Sequence, residues 1–314
     1  MTGTIDQYNL SVMITLRQLR YVEAIARLGH FGRAAEQCSV TQPALSLQVK
    51  LVEEELGVSL FERLPRGVRP TPEGAEIARR AARVLAEVRD ISDFARINRE
   101  PLTGPLNLGV IPTVAPYLLP PMLPLLRARH PALKLRVRES RTEHLLDALA
   151  DGSLDVLLLA LPVDRPEFET MAILEDRFLL AMPASRKISG KVKATAELIK
   201  DDRLLLLEEG HCLRDQALAV CDLRESETGE AFGASSLSTI VQLVANDLGL
   251  TLLPEICLSV EAEGRGITLL RFADPEPQRT LGLAWRKSSP RAADCLALAD
   301  VVGEVGRERK ARTV

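Results

Sequence analysis

A seven-residue repeat of apolar side chains after Pro72 constrains this chain more than any other feature of its sequence. The repeat consists of Ile77, Ala81, Val84, Val88, Ile91 and Ala95. Steps that alternate between four and three residues are typical of a two-stranded coiled coil. At about 1.5 Å per residue, roughly 26 residues form a rod of about 39 Å, too long and too exposed to be stable alone. A partner helix must therefore cover the stripe, and the alternative is packing against the chain's own second domain.

Two short helical patterns joined by a tight turn precede this repeat, after a first helix that ends at Gly29. The shorter pattern covers Gly32 to Cys38, and the longer one follows Thr41, a candidate N-cap, and ends at Gly57. The longer helix carries an apolar stripe of Leu45, Val49, Val52 and Leu56. This arrangement predicts a helix-turn-helix.

The face of the longer helix opposite its stripe is polar toward the N-terminal end, where a recognition helix contacts base edges. This face presents Thr41, Gln42, Pro43, Ser46 and Lys50. A turn-rich hairpin over residues 61–70 follows, and its arginines, Arg63, Arg66 and Arg69, could hold phosphates. Thr71 is placed to cap the next helix. Periodicity alone leaves a solvated helix and a charged loop as the alternative to a DNA-binding surface.

Beyond a Pro- and Gly-rich hinge at residues 100–105, strand and helix patterns alternate. The predicted strands cover residues 106–111, 133–138, 156–161, 178–182, 204–207, 250–253, 267–270 and 281–285. The predicted helices cover residues 117–129, 142–150 and 236–246, with a final helix at the end of the chain. This order predicts βαβ units, a parallel sheet and the α/β class.

The composition limits the classes of protein that remain. A chain of 314 residues, 46% hydrophobic and 26% charged, is typical of a globular protein of about two domains. Prolines interrupt the least charged stretch, residues 101–126, so we expect buried core there and no contact with a membrane. No secretory signal pattern is visible, and we expect a cytoplasmic protein with reduced thiols. The five cysteines and four histidines lack zinc-ligand spacing, so we predict no metal and no cofactor.

Residues 31–35, 41–49, 55–57, 60–63 and 71–74 closely resemble the winged helix-turn-helix of LysR-type transcriptional regulators. The resemblance implies a DNA-binding domain at 15–71, a linker and dimerisation helix at 72–99, and a regulatory domain at 105–314. That domain would have two lobes like those of periplasmic binding proteins, lobe I at residues 105–178 and 280–314 and lobe II at 179–279. A homodimer or tetramer would bind double-stranded DNA with two-fold symmetric half-sites and act with RNA polymerase.

A second resemblance within this family is carried by residues 204–217 and by Cys221. The run from Gly210 to Asp215, Gly-His-Cys-Leu-Arg-Asp, is similar to the redox segment of members that sense hydrogen peroxide. The resemblance implies that peroxide oxidises Cys212 to a sulfenic acid, that Cys221 closes a disulfide with it, and that a thiol reductant system resets the pair. It also implies a peroxide pocket formed by Thr113, Thr142, His211, Arg214, Asp215 and Arg279.

The reaction of Cys212 with peroxide requires a thiolate, and an unperturbed thiol with a pKa of about 8.5 is only roughly 3% ionised at pH 7. A position at the start of a helix, with His211 and Arg214 close in sequence, would favour the thiolate. Nine residues of one helix would separate Cys212 from Cys221 by about 13.5 Å, whereas a disulfide needs Cα atoms within roughly 7 Å. We therefore expect the segment to refold when the disulfide forms.

Two other functions remain open. A LysR-type regulator could respond to a metabolite bound between the lobes, near Thr113, with its cysteines incidental. A thiol peroxidase would share the cysteine chemistry, but it has no use for a helix-turn-helix, and the peroxiredoxin pattern P-x-x-x-T-x-x-C is absent before Cys212. We therefore expect no enzyme, and we expect Cys38, Cys257 and Cys295 to be structural.

Overall fold

A computed structural model describes residues 14–65, 67–94, 100–186, 193–195, 199, 202–221 and 234–313. The chain divides near residue 96 into two compact units, an N-terminal unit 1 and a C-terminal unit 2. None of the helices in the described ranges combines the length and the apolar character that crossing a membrane requires.

Within its described residues, unit 1 has four helices and a two-stranded antiparallel hairpin. In chain order these are α1 (Leu16–Leu28), α2 (Phe31–Gln37), α3 (Gln42–Leu56), β1 (Phe61–Arg63), β2 (Val68–Pro70) and α4 (Pro72–Phe94). Three members of the predicted stripe on α3, Leu45, Val49 and Val52, are buried in a core shared with α1 and α2. The predicted helix-turn-helix is therefore confirmed.

Side-chain caps determine where two of these helices begin. The Nδ1 atom of His30 accepts hydrogen bonds from the backbone amides of Gly32 and Arg33, at 3.0 and 3.4 Å, and so caps α2. The hydroxyl of Thr71 accepts from the amide of Gly74 at 2.9 Å and caps α4, as predicted. No pattern in the sequence predicts the cap at His30.

The apolar stripe of α4 lies partly open within the single chain. Its described members are Ile77, Ala81, Val84, Val88 and Ile91, and Ala95 lies outside the described residues. Ile77 packs against the core of unit 1, and Ala81 is buried. Val84 is 43% exposed and Ile91 is 69% exposed, so the second half of the stripe remains available to a partner.

In the part of unit 2 that the structure describes, seven strands form the sheet. Its elements are β3 (Gly104–Val110), α5 (Ala115–Arg129), β4 (Leu133–Glu139), α6 (Thr142–Ala150), β5 (Val156–Leu161), β6 (Phe168–Pro183), α7 (Cys212–Cys221), α8 (Leu237–Ala245), β7 (Thr251–Pro254), α9 (Leu258–Glu261), β8 (Ile267–Arg271), β9 (Gln278–Arg286) and α10 (Ala292–Thr313). A 3₁₀ turn, Glu255–Cys257, separates β7 from α9. The strand order is β4-β3-β5-β9-β6-β7, and β8 also pairs with β6.

The sheet is mixed, which corrects the prediction of a parallel sheet. β3 runs parallel to both β4 and β5, as the βαβ pattern predicts. β9, however, lies between β5 and β6 and runs antiparallel to both. The reason is that the chain passes along β6 in one direction and returns along β9 in the other, and neighbouring strands of opposite direction form an antiparallel ladder.

The strand β6 is much longer than the predicted strand at residues 178–182. Its 16 residues span about 50 Å, with a bulge between Ala172 and Leu174. Its first part, up to Arg177, pairs with β9, and its last part lies between β7 and β8. We call β3, β4, β5, β9 and the first part of β6 lobe I, and the rest of β6 with β7 and β8 lobe II. The first part was missed because it shows no alternation of apolar and polar residues.

The predicted strand at residues 204–207 is wrong. Leu204 and Leu207 form only isolated bridges, to Leu250 and Ala234 respectively. All four leucines of the run are buried, so the run reflects complete burial and not a strand ladder.

Candidate functional site

The outer face of α3 carries the residues predicted to contact DNA bases. Gln42, Pro43 and Lys50 are exposed and Ser46 is half-buried, while the apolar stripe faces the core of unit 1. Thr41 is exposed at the N-cap position, as predicted, although its side chain makes no capping hydrogen bond. The helix start depends instead on Pro43, whose ring fixes φ in the first turn.

The hairpin β1–β2 forms the wing next to this helix. Arg63 and Arg69 are exposed on it, and Arg66 lies outside the described residues. Arg69 donates to the carboxylate of Glu62 at 2.9 Å, with both side chains largely in solvent. An exposed pair of this kind is weak, so it does not prevent Arg69 from contacting a phosphate.

The two cysteines of the predicted redox pair occupy opposite ends of α7. Cys212 is half-buried at the first residue, and Cys221 is buried at the last one. Both thiols are free. Before the helix the chain turns at Gly210, whose φ of +86° favours glycine. Burial raises the pKa of the Cys221 thiol to about 11, so this group is protonated at neutral pH.

An α-helix rises about 1.5 Å per residue, so the ends of α7 are about 13.5 Å apart. This length exceeds the roughly 7 Å limit for the Cα atoms of a disulfide. No disulfide can therefore join Cys212 and Cys221 while α7 is intact.

His211, the residue before the helix, is buried beside a charged pair. Arg141 donates to the carboxylate of Glu208 at 2.8 Å, and it passes over the turn at Gly210. Burial and the Arg141 charge lower the pKa of His211, and Glu208 opposes them only in part. His211 is therefore neutral at pH 7, which corrects the expectation that it adds positive charge near Cys212.

Thr113 and Arg279, two residues of the predicted peroxide pocket, meet in a buried cluster. The guanidinium of Arg279 donates from Nη1 to the Thr113 hydroxyl at 3.0 Å and from Nη2 to the Thr113 carbonyl at 3.1 Å. Its Nε donates to the carboxylate of Asp176 at 2.9 Å. Thr113 follows β3, whereas Asp176 and Arg279 are directly opposite each other on β6 and β9. The fold thus joins three distant parts of the chain.

The other predicted pocket residues have different environments. The Thr142 hydroxyl is buried, and it has no hydrogen-bond partner within the described ranges. A hydroxyl in this state lacks the interaction that buried polar groups usually make, so a small polar ligand could satisfy it. Arg214 is buried and donates to the carbonyl of Leu207 at 3.2 Å, and Asp215 is exposed on α7. None of the hydrogen bonds in the described residues joins Cys212 to Thr113 or Arg279.

Sequence reasoning missed two further buried acids. Asp176 lies between Glu175 and Arg177 before an apolar run, and nothing in this local pattern indicates Arg279 as its partner. Glu261 accepts from the Tyr117 hydroxyl at 3.0 Å and from the Ser238 hydroxyl at 2.7 Å. Burial, Cys257 and the Glu261 carboxylate raise the pKa of Tyr117, which stays protonated and donates. Contacts made only by folding cannot be detected in local spacing.

Two protein-family models match the chain. The model described as "Bacterial regulatory helix-turn-helix protein, lysR family" matches residues 16–75, and the "LysR substrate binding domain" matches residues 99–307. A Streptomyces viridosporus protein named probable hydrogen peroxide-inducible genes activator is 44% identical over 302 residues, 96% of this chain and 97% of the relative. The Escherichia coli K12 regulator OxyR is 37% identical over 289 residues, 92% of this chain and 95% of that protein.

Solved structures show the same similarity. A full-length OxyR from Pseudomonas aeruginosa with one cysteine replaced by aspartate has a TM-score of 0.81 and 39% identity, covering 94% of this chain and 97% of that one. A peroxide-bound cysteine-to-serine variant of Corynebacterium glutamicum OxyR has a TM-score of 0.67 and 36% identity, and the match covers 95% of this chain and 94% of that one. These likenesses confirm the predicted class, a helix-turn-helix followed by a two-lobed α/β domain.

Proposed function

Because this chain belongs to the LysR family of bacterial helix-turn-helix regulators, we propose that it is a transcription activator that responds to hydrogen peroxide through Cys212 and Cys221. One observation carries the proposal. Cys212 is partly accessible at the first residue of α7, and its partner is buried at the last residue of the same helix. The names of two relatives, a probable activator of hydrogen peroxide-inducible genes and the dual regulator OxyR, favour the same function.

The first step is oxidation of Cys212. Its thiolate attacks one oxygen of peroxide, an S–O bond forms and the O–O bond breaks. The departing hydroxide takes up the proton that the thiol released and leaves as water. Sulfur is thereby oxidised to a sulfenic acid, and the peroxide is reduced. Cys212 lies at the first residue of α7, close to amide N–H groups and to the positive end of the helix dipole.

Polar groups assist the leaving oxygen. Donors that are already oriented stabilise the charge that develops on hydroxide, as an oxyanion site does. We assign Thr113, Thr142, His211, Arg214, Asp215 and Arg279 to the peroxide pocket, and the donor role to all of them except Asp215, whose carboxylate only accepts hydrogen bonds. The buried Thr142 hydroxyl without a partner and the Thr113–Arg279 hydrogen bonds support the assignment. No metal or cofactor takes part, because the thiol supplies both electrons.

The second step is formation of the disulfide. The Cys221 thiol attacks the sulfenic sulfur, water leaves and a disulfide forms. A loop this short contributes only about 2 to 3 kcal/mol, whereas moving an equilibrium from 1:99 to 99:1 takes about 5.5 kcal/mol. The disulfide therefore acts mainly because it is incompatible with α7. Structures of the two forms that superimpose over residues 205–230 would refute this step.

Unit 1 is the part of the chain that binds DNA in this proposal. A dimer formed along α4 presents two α3 helices to half-sites about one helical turn, or a multiple of it, apart. Refolding of α7 changes how this dimer, or a tetramer, binds promoter DNA and RNA polymerase. A thiol reductant system returns the disulfide to two thiols. Each cycle reduces one peroxide per cysteine pair, and in this proposal the result of the cycle is a change in DNA binding.

Peptide mapping after thiol trapping tests the proposal directly. We expect stoichiometric peroxide to give a Cys212–Cys221 disulfide within seconds to minutes in the wild type. Cys212→Ser should leave every thiol free, and Cys221→Ser should accumulate a sulfenic acid that dimedone captures. Cys295→Ser, which removes another buried thiol, is the matched control and should behave as wild type.

Thiols that remain free after minutes would contradict the proposal. The function would then be that of a regulator responding to a metabolite bound between lobe I and lobe II, and a search for that ligand would be the next experiment.

A further inference from the structure

Arg279 is held by a carboxylate to which the proposed chemistry assigns no role. Asp176 faces Arg279 across the antiparallel pair of β6 and β9, and its Oδ2 accepts from Nε at 2.9 Å. Both side chains are buried, with exposed fractions of 0% and 1%. The other carboxylate oxygen accepts from the amide of Ile256 at 3.0 Å, in the 3₁₀ turn after β7. Asp176 is thus fixed on both oxygens.

This arrangement determines the orientation of the Arg279 guanidinium. The guanidinium is planar. A hydrogen bond that holds Nε on Asp176 therefore also restricts where Nη1 and Nη2 can lie. Both nitrogens are directed at Thr113. Since a guanidinium only donates, the Thr113 hydroxyl must act as acceptor toward it, which leaves its hydrogen to be donated elsewhere.

We propose that Asp176 is a positioning residue for peroxide reduction. By binding Nε of Arg279 it fixes the guanidinium, which in turn orients the Thr113 hydroxyl as a donor to the peroxide. The inference rests on the proposed function, because it requires Thr113 and Arg279 to serve the oxidation of Cys212. It gives the carboxylate a role through Arg279 and no contact with peroxide.

The test compares two reactions of the same thiol in the purified full-length chain. We measure the second-order rate constant for oxidation of Cys212 by hydrogen peroxide and that for its alkylation by iodoacetamide, which needs no oriented donor. Asp176→Asn keeps the size of the side chain but presents an uncharged amide to Arg279. We expect oxidation to slow by about tenfold or more and alkylation to change by less than about twofold.

Two further variants keep the inference falsifiable. Asp176→Glu retains the charge but shifts the carboxylate. Its ratio of oxidation rate to alkylation rate should fall between those of wild type and Asp176→Asn. If Asp176→Asn does not fold, Asp176→Glu replaces it in the test. Adding Asp176→Asn to Arg279→Lys should cause no further loss, since both changes act through one guanidinium.

The outcomes separate the two proposals. Rapid oxidation of wild type with an unchanged ratio in a folded Asp176 variant overturns the positioning role alone. A parallel fall in both rates also overturns it, because it indicates a purely structural role. A wild-type Cys212 that peroxide does not oxidise overturns the proposed function, and the positioning role falls with it.

Discussion

At the scale of single residues, charge at the redox site differs from what residue types imply. A histidine beside a reactive cysteine usually indicates a positive charge or a proton acceptor, but His211 is buried and flanked by Arg141. Both effects disfavour its charged form. In the proposed oxidation of Cys212, the assistance therefore comes from the start of α7 and from hydrogen-bond donors, and His211 acts as a neutral group.

The lowered pKa of His211 predicts a pH dependence of stability. Below about pH 6.5 the unfolded chain binds a proton at His211 that the folded chain does not. The free energy of unfolding therefore falls as the pH decreases from 6.5 toward the pKa of His211 in the folded chain. Above about pH 6.5 this residue contributes no pH dependence. Urea unfolding between pH 5 and 8 measures it. His211→Gln should lose this component, whereas His144→Gln, which removes an exposed histidine, should keep it. Equal slopes in wild type and His211→Gln would contradict the prediction.

At the scale of elements, α7 acts as a spacer that keeps the two thiols apart. Cys221 is buried and protonated, so it reaches a sulfenic acid on Cys212 only after the helix opens. The helix has 10 residues, and helices this short depend on tertiary packing for their stability. Its free energy of opening should therefore set the rate of disulfide closure.

A helix-weakening substitution tests this role of α7. Ala219 is exposed on the helix, and Ala219→Gly should reduce helix stability by about 1 kcal/mol without removing a buried contact. We expect closure of the disulfide after sulfenic acid formation to accelerate by up to about fivefold, with the preceding oxidation unchanged. Stopped-flow and quenched mapping separate the two steps. Closure at the wild-type rate would show that helix opening does not limit it.

At the scale of the whole molecule, part of the apolar stripe on α4 is uncovered in a single chain. Its stripe is covered near Ala81 but exposes Val84 and Ile91, and Phe94 beyond them is 62% exposed. Exposed apolar positions at this spacing along one helix are typical of a dimer contact. The function proposed for unit 1 needs two copies, and α4 is the surface that can pair them.

A charge within the stripe should prevent this pairing. Ile91→Glu would place a carboxylate in the apolar contact, and we expect the mass from sedimentation velocity to fall to that of a smaller assembly. Affinity for DNA with two half-sites should fall with it. Arg83→Glu, a charge reversal at an exposed residue of the same helix outside the stripe, is the control. An unchanged mass for Ile91→Glu would show that copies associate elsewhere.

The sequence by itself determined the local features. Spacing identified α3 and its buried stripe, the cap at Thr71 and the heptad on α4, because each depends on residues within a few turns of one another. The motif around Cys212 is local in the same way, and the redox pair that it indicates stays a prediction. Only the tertiary structure decided that β9 lies between β5 and β6, that residues 204–207 form no strand, and that Asp176 holds Arg279. Those outcomes depend on contacts between residues far apart in the sequence, 27 positions for Leu207 and Ala234 and 103 for Asp176 and Arg279, whose burial and electrostatics exist only once the chain has folded.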